Sequence, residues 1–213
     1  MTKKLDEIIL LGGGGHAKVL IDLINTSGQF EISGILDTQL EIGTKVLNVP
    51  VLGDGDLLLG LYSKGLKNAC IAIGSVRDNT RRRNLFDKVK QIGFLVPCLL
   101  HPQAIIVSKN VHFSEGAQVM AGVNIQTDSL FGENTIVNTG AIIEHECNIG
   151  SHVHVCSGVV ISGGCNIGDG AFIGAGATVM QGINIGKCAT VAAGAVVIKN
   201  VPEGSMVKGV PAA

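Results

Sequence analysis

Every sixth residue in the second half of the chain is a large aliphatic or a Phe. The series runs Val107, Phe113, Val119, Ile125, Phe131, Val137, Ile143, Ile149, Val155, Ile161, Ile167, Ile173, Val179, Ile185, Val191, Val197 without a gap. Four residues after each stands a smaller side chain, such as Ala117, Ala141, Cys147, Cys165 or Ala189, with Ile183 the one large exception. A period of six fits neither a helix at 3.6 nor a strand at 2. It fits a short strand followed by a corner, three of which close a triangular coil of eighteen residues. The large residue then fills the inside of a face and the small one the turn. Gly132, Gly150, Gly168 and Gly186 recur at that longer interval, which predicts one corner per coil needing a permissive backbone. Coils stack as in any solenoid and bury a continuous core. At roughly 4.8 Å per strand the prism is about 25 Å tall. Composition agrees, with 30 Gly in 213 residues and only 3% aromatics. Such a core is layered from small aliphatics, without rings as filler.

The first half reads differently. Residues 7–24 give a short apolar strand, a four-glycine turn and an amphipathic helix. A second strand is predicted at Ile32–Leu36, ending in Asp37, and a third at Ala69–Ile73. Strand, helix and strand at this spacing imply a small Rossmann-like parallel sheet with right-handed crossovers, whose ligands sit at the carboxyl ends of the strands. Gly12, Gly14 and Ala17 satisfy G-x-G-x-x-A, and Asp37 lies where a ribose-binding acid would. A dinucleotide oxidoreductase is one reading of that motif. The domain, ending near residue 95, is too short for a whole dinucleotide fold and better suits one nucleotide diphosphate held near Gly13, Gly14, Gly15 and Asp37. A tight turn without a ligand is the plain alternative. Arg77, Arg81, Arg82 and Arg83 cluster after Gly74-Ser75; most read as a solvated face, and one could reach a diphosphate. His101-Pro102 ends the domain, dividing the chain into residues 1–100 and 101–213.

A net charge of -1 gives no footprint for nucleic acid or anionic membrane. No apolar run approaches the roughly 18 residues of a membrane span, and Gly12–Gly15 interrupt any signal-like stretch. Six cysteines without a C-x-x-C pair predict free thiols in a reducing cytoplasm.

Chemistry concentrates between Asn138 and His154, where His145, His152 and His154 fall within ten residues. His145 is third in its hexad and points outward, with Gly163 one coil above and Gly164 beside it. This predicts a slot for a thin chain over the histidine. Glu144 and Glu146 flank His145, and one carboxylate can orient its ring as a general base. His154 is half a coil away, so the two histidines meet only across a subunit interface. That argues for a homotrimer with active sites between subunits. Surface histidines on a polar face are the alternative for the cluster taken alone. Cys147 and Cys165 occupy small inward positions and read as packing; Cys156 has no evident paired base.

The GGGGHAKVL start, Asp37, and N-T-G-A-I-I-E-H-E-C-N-I-G with His154 resemble the bacterial sialic-acid O-acetyltransferase family. Within it they most resemble the acetyl-CoA-dependent N-acetyltransferases of nucleotide-linked 4-amino-4,6-dideoxyhexoses. The resemblance implies a left-handed parallel β-helix after an α/β nucleotide-sugar domain. It implies His145 as general base helped by Glu146, with Asn138, Glu144 and His154 at substrate positions. Acetyl-CoA is expected against Gly163, Gly164, Gln181, Lys208 and Pro211, the last two in a segment resembling one that packs near the coenzyme. No contact from the basic tail usual after that segment is expected. No metal is expected. Rivals are a sialic-acid-type O-acetyltransferase, a zinc enzyme like the γ-class carbonic anhydrases using His145, His152 and His154, and a nucleotide-sugar-binding scaffold without activity.

Overall fold

A computed structural model describes residues 5–75 and 78–213, so Arg77 lies outside the described residues. The chain divides into two compact units, residues 1–99 and 100–213.

In the first unit, β1 (Asp6–Leu11) leads through the glycine turn into α1 (Gly15–Ser27), then β2 (Phe30–Leu36). A hairpin of β3 (Lys45–Val46) and β4 (Val49–Gly53) follows, then α2 (Leu58–Ser63), β5 (Asn68–Ile71) and α3 (Thr80–Ile92). The sheet order is β3-β4-β2-β1-β5, parallel apart from the β3–β4 hairpin. The hairpin was not legible in the pattern: its strands are short, and Pro50 in β4 argues against reading an inner strand there. Ile8, Ile9 and Leu10 are fully buried, as expected of a strand covered on both faces.

The second unit is a left-handed parallel β-helix of two-residue strands. Its first face runs from Ile105–Ile106 to Val196–Val197, its second from His112–Phe113 to Asn184–Ile185, and its third from Leu99–Leu100 through Gln118–Val119 to Met206–Val207. Successive strands of a face pair in parallel, as Ile143 with Ile161 and Ile149 with Ile167. The interior Ile, Val and small residues form one continuous buried cluster. The register departs from the expected series at its start. Ile106, not Val107, pairs with Ile125, and Val107 is half exposed. The last turn is also shortened, with Val191 opposite Val207.

The glycine expectation needs correcting. Gly132, Gly150, Gly168 and Gly186 have ordinary negative φ. They are glycine because the next coil passes too close: a Cβ at Gly168 would lie 2.6 Å from the Lys187 nitrogen. The left-handed residues fall elsewhere, at every sixth position from Gly116 to Gly194. At the corner between the third and first faces they are all Gly. At the two corners bordering the second face, Asp128, Asn134, Glu146, His152 and Cys188 adopt the same conformation. Non-glycine residues held this way mark candidate functional positions.

Gly168→Ala should therefore destabilise more than Gly158→Asn. The first forces a methyl into packed backbone, at about 1–3 kcal/mol. The second enters open space at φ +67°, which Asn adopts readily. Thermal melts of the two variants decide this; an equal or reversed order would show that backbone conformation, not coil spacing, selects Gly168.

Candidate active site

His145 stands at the corner between the first and second faces, fastened from both neighbouring coils. Its carbonyl accepts the Gly164 N–H at 2.8 Å, Glu146 N–H donates to Thr127 O at 3.0 Å, and Glu144 N–H donates to Ile161 O at 2.9 Å. The Ser129 hydroxyl donates to Glu144 O at 3.1 Å. The backbone under the histidine is thus fixed before any ligand arrives.

The ring is equally constrained. His145 Nδ1 lies 2.9 Å from Glu146 Oε2. A carboxylate only accepts, so Nδ1 carries a proton, and in the neutral ring the lone pair is therefore on Nε2. Glu146 can make this contact because its backbone is left-handed, with φ 58°. A Cβ at Gly163 would lie 2.6 Å from both Cε1 and Nε2 of the ring. The expected slot above His145 is therefore filled by the imidazole itself, and the glycine is there to admit it. The Gly163 N–H donates no hydrogen bond among the described residues.

Gln181 and Gly164 lie on the same corner as His145, with Lys199 following Gln181 one coil on. Beside them run Glu144, Ser162, Met180 and Ile198; the last two are apolar yet nearly half exposed. Sequence reasoning missed Met180, Ile198 and Lys199, although Lys199 sits one coil beyond Gln181, and Met180 and Ile198 sit two and three coils beyond Glu144. Lys208 and Pro211 are elsewhere: their segment folds against Val196, with Val196 N–H donating to Gly209 O and Ala212 N–H to Val196 O. Asn138 stands at the corner between the third and first faces, where its side chain accepts the Thr139 N–H at 2.8 Å. His154 lies on the third face, buried, edge-on to Phe172 with centroids 5.5 Å apart. His152 pairs with Asn134 at 3.0 Å. One chain thus brings together His145, Glu146, Gly163, Gly164 and Gln181, and not Asn138 or His154. Among the described residues no group of three or more His, Cys, Asp or Glu could hold a metal ion, and no helix is long and apolar enough to cross a membrane. Burial pushes the Cys156 thiol up to about 11, which disfavours a nucleophilic thiolate there.

The first unit holds a cavity of about 580 Å³ at the carboxyl ends of its strands, lined by Leu11, Gly12, Asp37, Asp56, Arg81 and Lys88 among others. Gly12 has φ +111°, and a side chain there would collide with Ile73. Asp37 does more than face the cavity. Its Oδ2 accepts the Gly13 N–H at 2.8 Å, and its Oδ1 accepts those of Gln39 at 2.7 Å and Leu40 at 3.2 Å. The carboxylate clamps the glycine turn to the end of β2. Gly14 and Gly15 open α1 with no side-chain cap and free space about them. Of the arginines, Arg82 is buried and donates to Ile71 O and Ile73 O, each at 2.7 Å. Arg81 lines the cavity.

Residues 7–89 match the family model of the PglD N-terminal domain, and 164–199 that of the hexapeptide repeat of succinyl-transferase. Solved structures similar over nearly the whole chain include perosamine N-acetyltransferase from Caulobacter crescentus in complex with CoA and GDP-perosamine. It is 38% identical, with a TM-score of 0.91, covering 97% of this chain and 95% of that one. The acetyltransferase domain of PglB from Neisseria gonorrhoeae, in complex with acetyl coenzyme A, is 33% identical at 0.90, covering 98% of each chain. WeeI from Acinetobacter baumannii is 28% identical at 0.85, covering 99% of each. A search of curated proteins gives no match.

The Asp37 clamp has a pH signature. Partial burial alone would raise its pKa, but the N–H donors of Gln39, Gly13 and Leu40, with the Arg81 charge, outweigh it and hold the carboxyl below its ordinary value. A depressed carboxyl adds stability above its unfolded pKa and loses it as pH falls through the folded one. Asp37→Asn should lower the melting temperature at pH 7, and the gap to the native chain should narrow below about pH 4. A gap unchanged down to pH 3 would mean that the charge does not hold the turn.

Proposed function

Because the chain belongs to the hexapeptide-repeat sugar N-acetyltransferases that carry a PglD-type N-terminal domain, and is thus an acetyl-CoA-dependent acetyltransferase, we propose that it acetylates the 4-amino group of a nucleotide-diphosphate-linked 4-amino-4,6-dideoxyhexose. The product serves bacterial surface-glycan synthesis. The observation that carries this reading is the His145–Glu146 pair laid over the bare backbone of Gly163.

Transfer is direct. His145 Nε2 takes a proton from the sugar amine as its nitrogen attacks the thioester carbonyl, while Glu146 stabilises the imidazolium at Nδ1. The unengaged Gly163 N–H suits the oxyanion. The tetrahedral intermediate then expels the coenzyme A thiolate, and the proton on His145 goes to it. The exposed strip of Met180 and Ile198 suits the pantetheine arm, with Gln181 and Lys199 polar neighbours along the same corner. The N-terminal cavity suits the nucleotide, held by the glycine turn and Asp37. Acetyl-CoA is a cytoplasmic metabolite, so the reaction belongs there, in keeping with six free cysteines.

The assembly is a homotrimer in which His154 of a neighbouring subunit approaches His145. The corner of His145 and the one preceding His154 both border the second face. Joining them between subunits turns that face, with Asn148, Asn166 and Asn184, toward the three-fold axis. Those two corners are also the ones with left-handed non-glycine residues.

The direct test is acetyl-CoA turnover with a panel of nucleotide-linked amino sugars and free sialic acid. Transfer to sialic acid alone would replace this reading with sugar O-acetylation. His145→Ala should cost about 10²–10⁴-fold in kcat. Gly163→Ala should cost about 10²-fold through misplacement of the ring with little change in melting temperature. Near-normal turnover in either variant would remove His145 as the base.

The trimer reading has its own test. Inactive His145→Ala and inactive His154→Ala chains, dissociated and reassociated together, should form some interfaces free of both substitutions and regain activity. No recovery in mixed trimers verified by mass spectrometry, or a monomer in sedimentation, would rule out sites shared between chains.

A further inference from the structure

The described residues that line the N-terminal cavity include the carboxylates of Asp37, Asp54, Asp56 and Asp78 and the cations Arg81 and Lys88. One stripe of α3 crosses it, carrying Arg81, Leu85 and Lys88 at helical spacing. At one end Arg81 lies close enough to Asp37 to act on it electrostatically. At the other Lys88 Nζ donates to Gly55 O at 3.2 Å, in the loop that follows β4. The two ends differ in what they offer a ligand. The Asp37 carboxylate accepts three backbone N–H groups, and the exposed Arg81 guanidinium, whose charge acts on it, makes no hydrogen bond among the described residues and is open to an anion. The far end presents the carboxylates of Asp54 and Asp56 with the Lys88 ammonium held beside them on Gly55 O. Asp54 Oδ1 accepts the Asp56 N–H at 2.9 Å and fixes that loop. The Asp56 carboxylate is exposed, lines the cavity, and accepts no hydrogen bond among the described residues. Leu11, Leu36, Ile73 and Leu85 supply apolar walls between the ends, the surroundings that suit a flat ring.

A carboxylate only accepts hydrogen bonds, which discriminates among nucleobases. Guanine offers two adjacent donors, N1–H and the 2-amino group, matched to two carboxylate oxygens. Uracil and thymine offer one N–H between two carbonyl oxygens that a carboxylate repels. Adenine and cytosine set their amino group beside a ring acceptor. Building on the nucleotide reading of this cavity given above, we propose that the acceptor is guanosine-diphosphate-linked, with Asp56 reading the guanine edge, Asp54 positioning Asp56, and Arg81 facing the diphosphate.

The test is calorimetric titration of the full chain with GDP, IDP, UDP, dTDP and xanthosine diphosphate. GDP should bind most tightly, and IDP, which lacks the 2-amino group, about tenfold or more weakly. Asp56→Asn should lose about 10–100-fold in GDP affinity and gain xanthosine diphosphate, because an Asn amide donates to the xanthine C2 carbonyl and accepts from N1–H. Arg81→Ala should weaken GDP while leaving guanosine unchanged. Asp56 and Arg81 are exposed, so Asp56→Asn should melt as the native chain does and Arg81→Ala should fall only slightly, through its charge on Asp37. UDP or dTDP binding as well as GDP, or Asp56→Asn keeping GDP affinity without gaining xanthosine diphosphate, overturns the guanine assignment and leaves the nucleotide reading intact. Guanosine affinity falling with Arg81→Ala overturns the placement of the diphosphate. If no nucleoside diphosphate binds, the nucleotide reading fails as well.

Discussion

The second unit depends on one constraint: each coil must lie against the next at strand spacing, with backbone hydrogen bonds linking them at every face. Asn148 N–H to Cys165 O at 2.9 Å and Gly150 N–H to Ile167 O at 2.8 Å are typical links. Such stacking leaves little freedom. A residue is placed by its count along the hexad, and the residue eighteen later lies over it. Interior positions take Ile, Val or Ala because they bury without a polar cost. Every sixth backbone must turn left-handed, where Gly is cheapest. Where coils approach most closely, as at Gly150 and Gly168, even a methyl has no room.

The proposed catalytic corner uses this rigidity. A histidine on a loop would sample many orientations, whereas His145 has its backbone bonded above and below, its Nδ1 fixed by Glu146 and its ring seated over Gly163. The left-handed turn at Glu146 is costlier for Glu than for Gly, yet it directs the carboxylate back to the preceding residue. The strain is local, and the stacked coils can hold it because their core lies immediately beneath, at Cys147 and Ile143. Pre-organisation of this kind lowers the reorganisation needed during acyl transfer.

The first unit solves a different problem. A glycine turn has backbone donors to offer but little to hold it in shape. Asp37 supplies that shape by accepting from Gly13 while bracing its own loop through Gln39 and Leu40. Arg82 plays a similar part across the sheet, tying α3 to the backbone after β5. Both are charged residues used to set backbone, whereas Arg81 and Asp56 line the cavity as exposed side chains.

The sequence alone determined the solenoid, its interior residues and the outward direction of His145, because a period of six has one economical solution and position follows by counting. It also determined the parallel sheet of the first unit, since apolar strand, glycine turn and helix are local features. It did not reveal the β3–β4 hairpin, whose strands are too short for a pattern. Val107 was misplaced because the first coil is one residue longer. Two decisions belonged to tertiary structure. The role of Gly132, Gly150, Gly168 and Gly186 depends on the distance to the coil above, and that of Gly163 on where the His145 ring comes to rest; neither distance is encoded in spacing. The same holds for Asp37 and the arginines. Residue type showed that each could meet a ligand, but only the folded chain showed which were already bonded to backbone and which remained available.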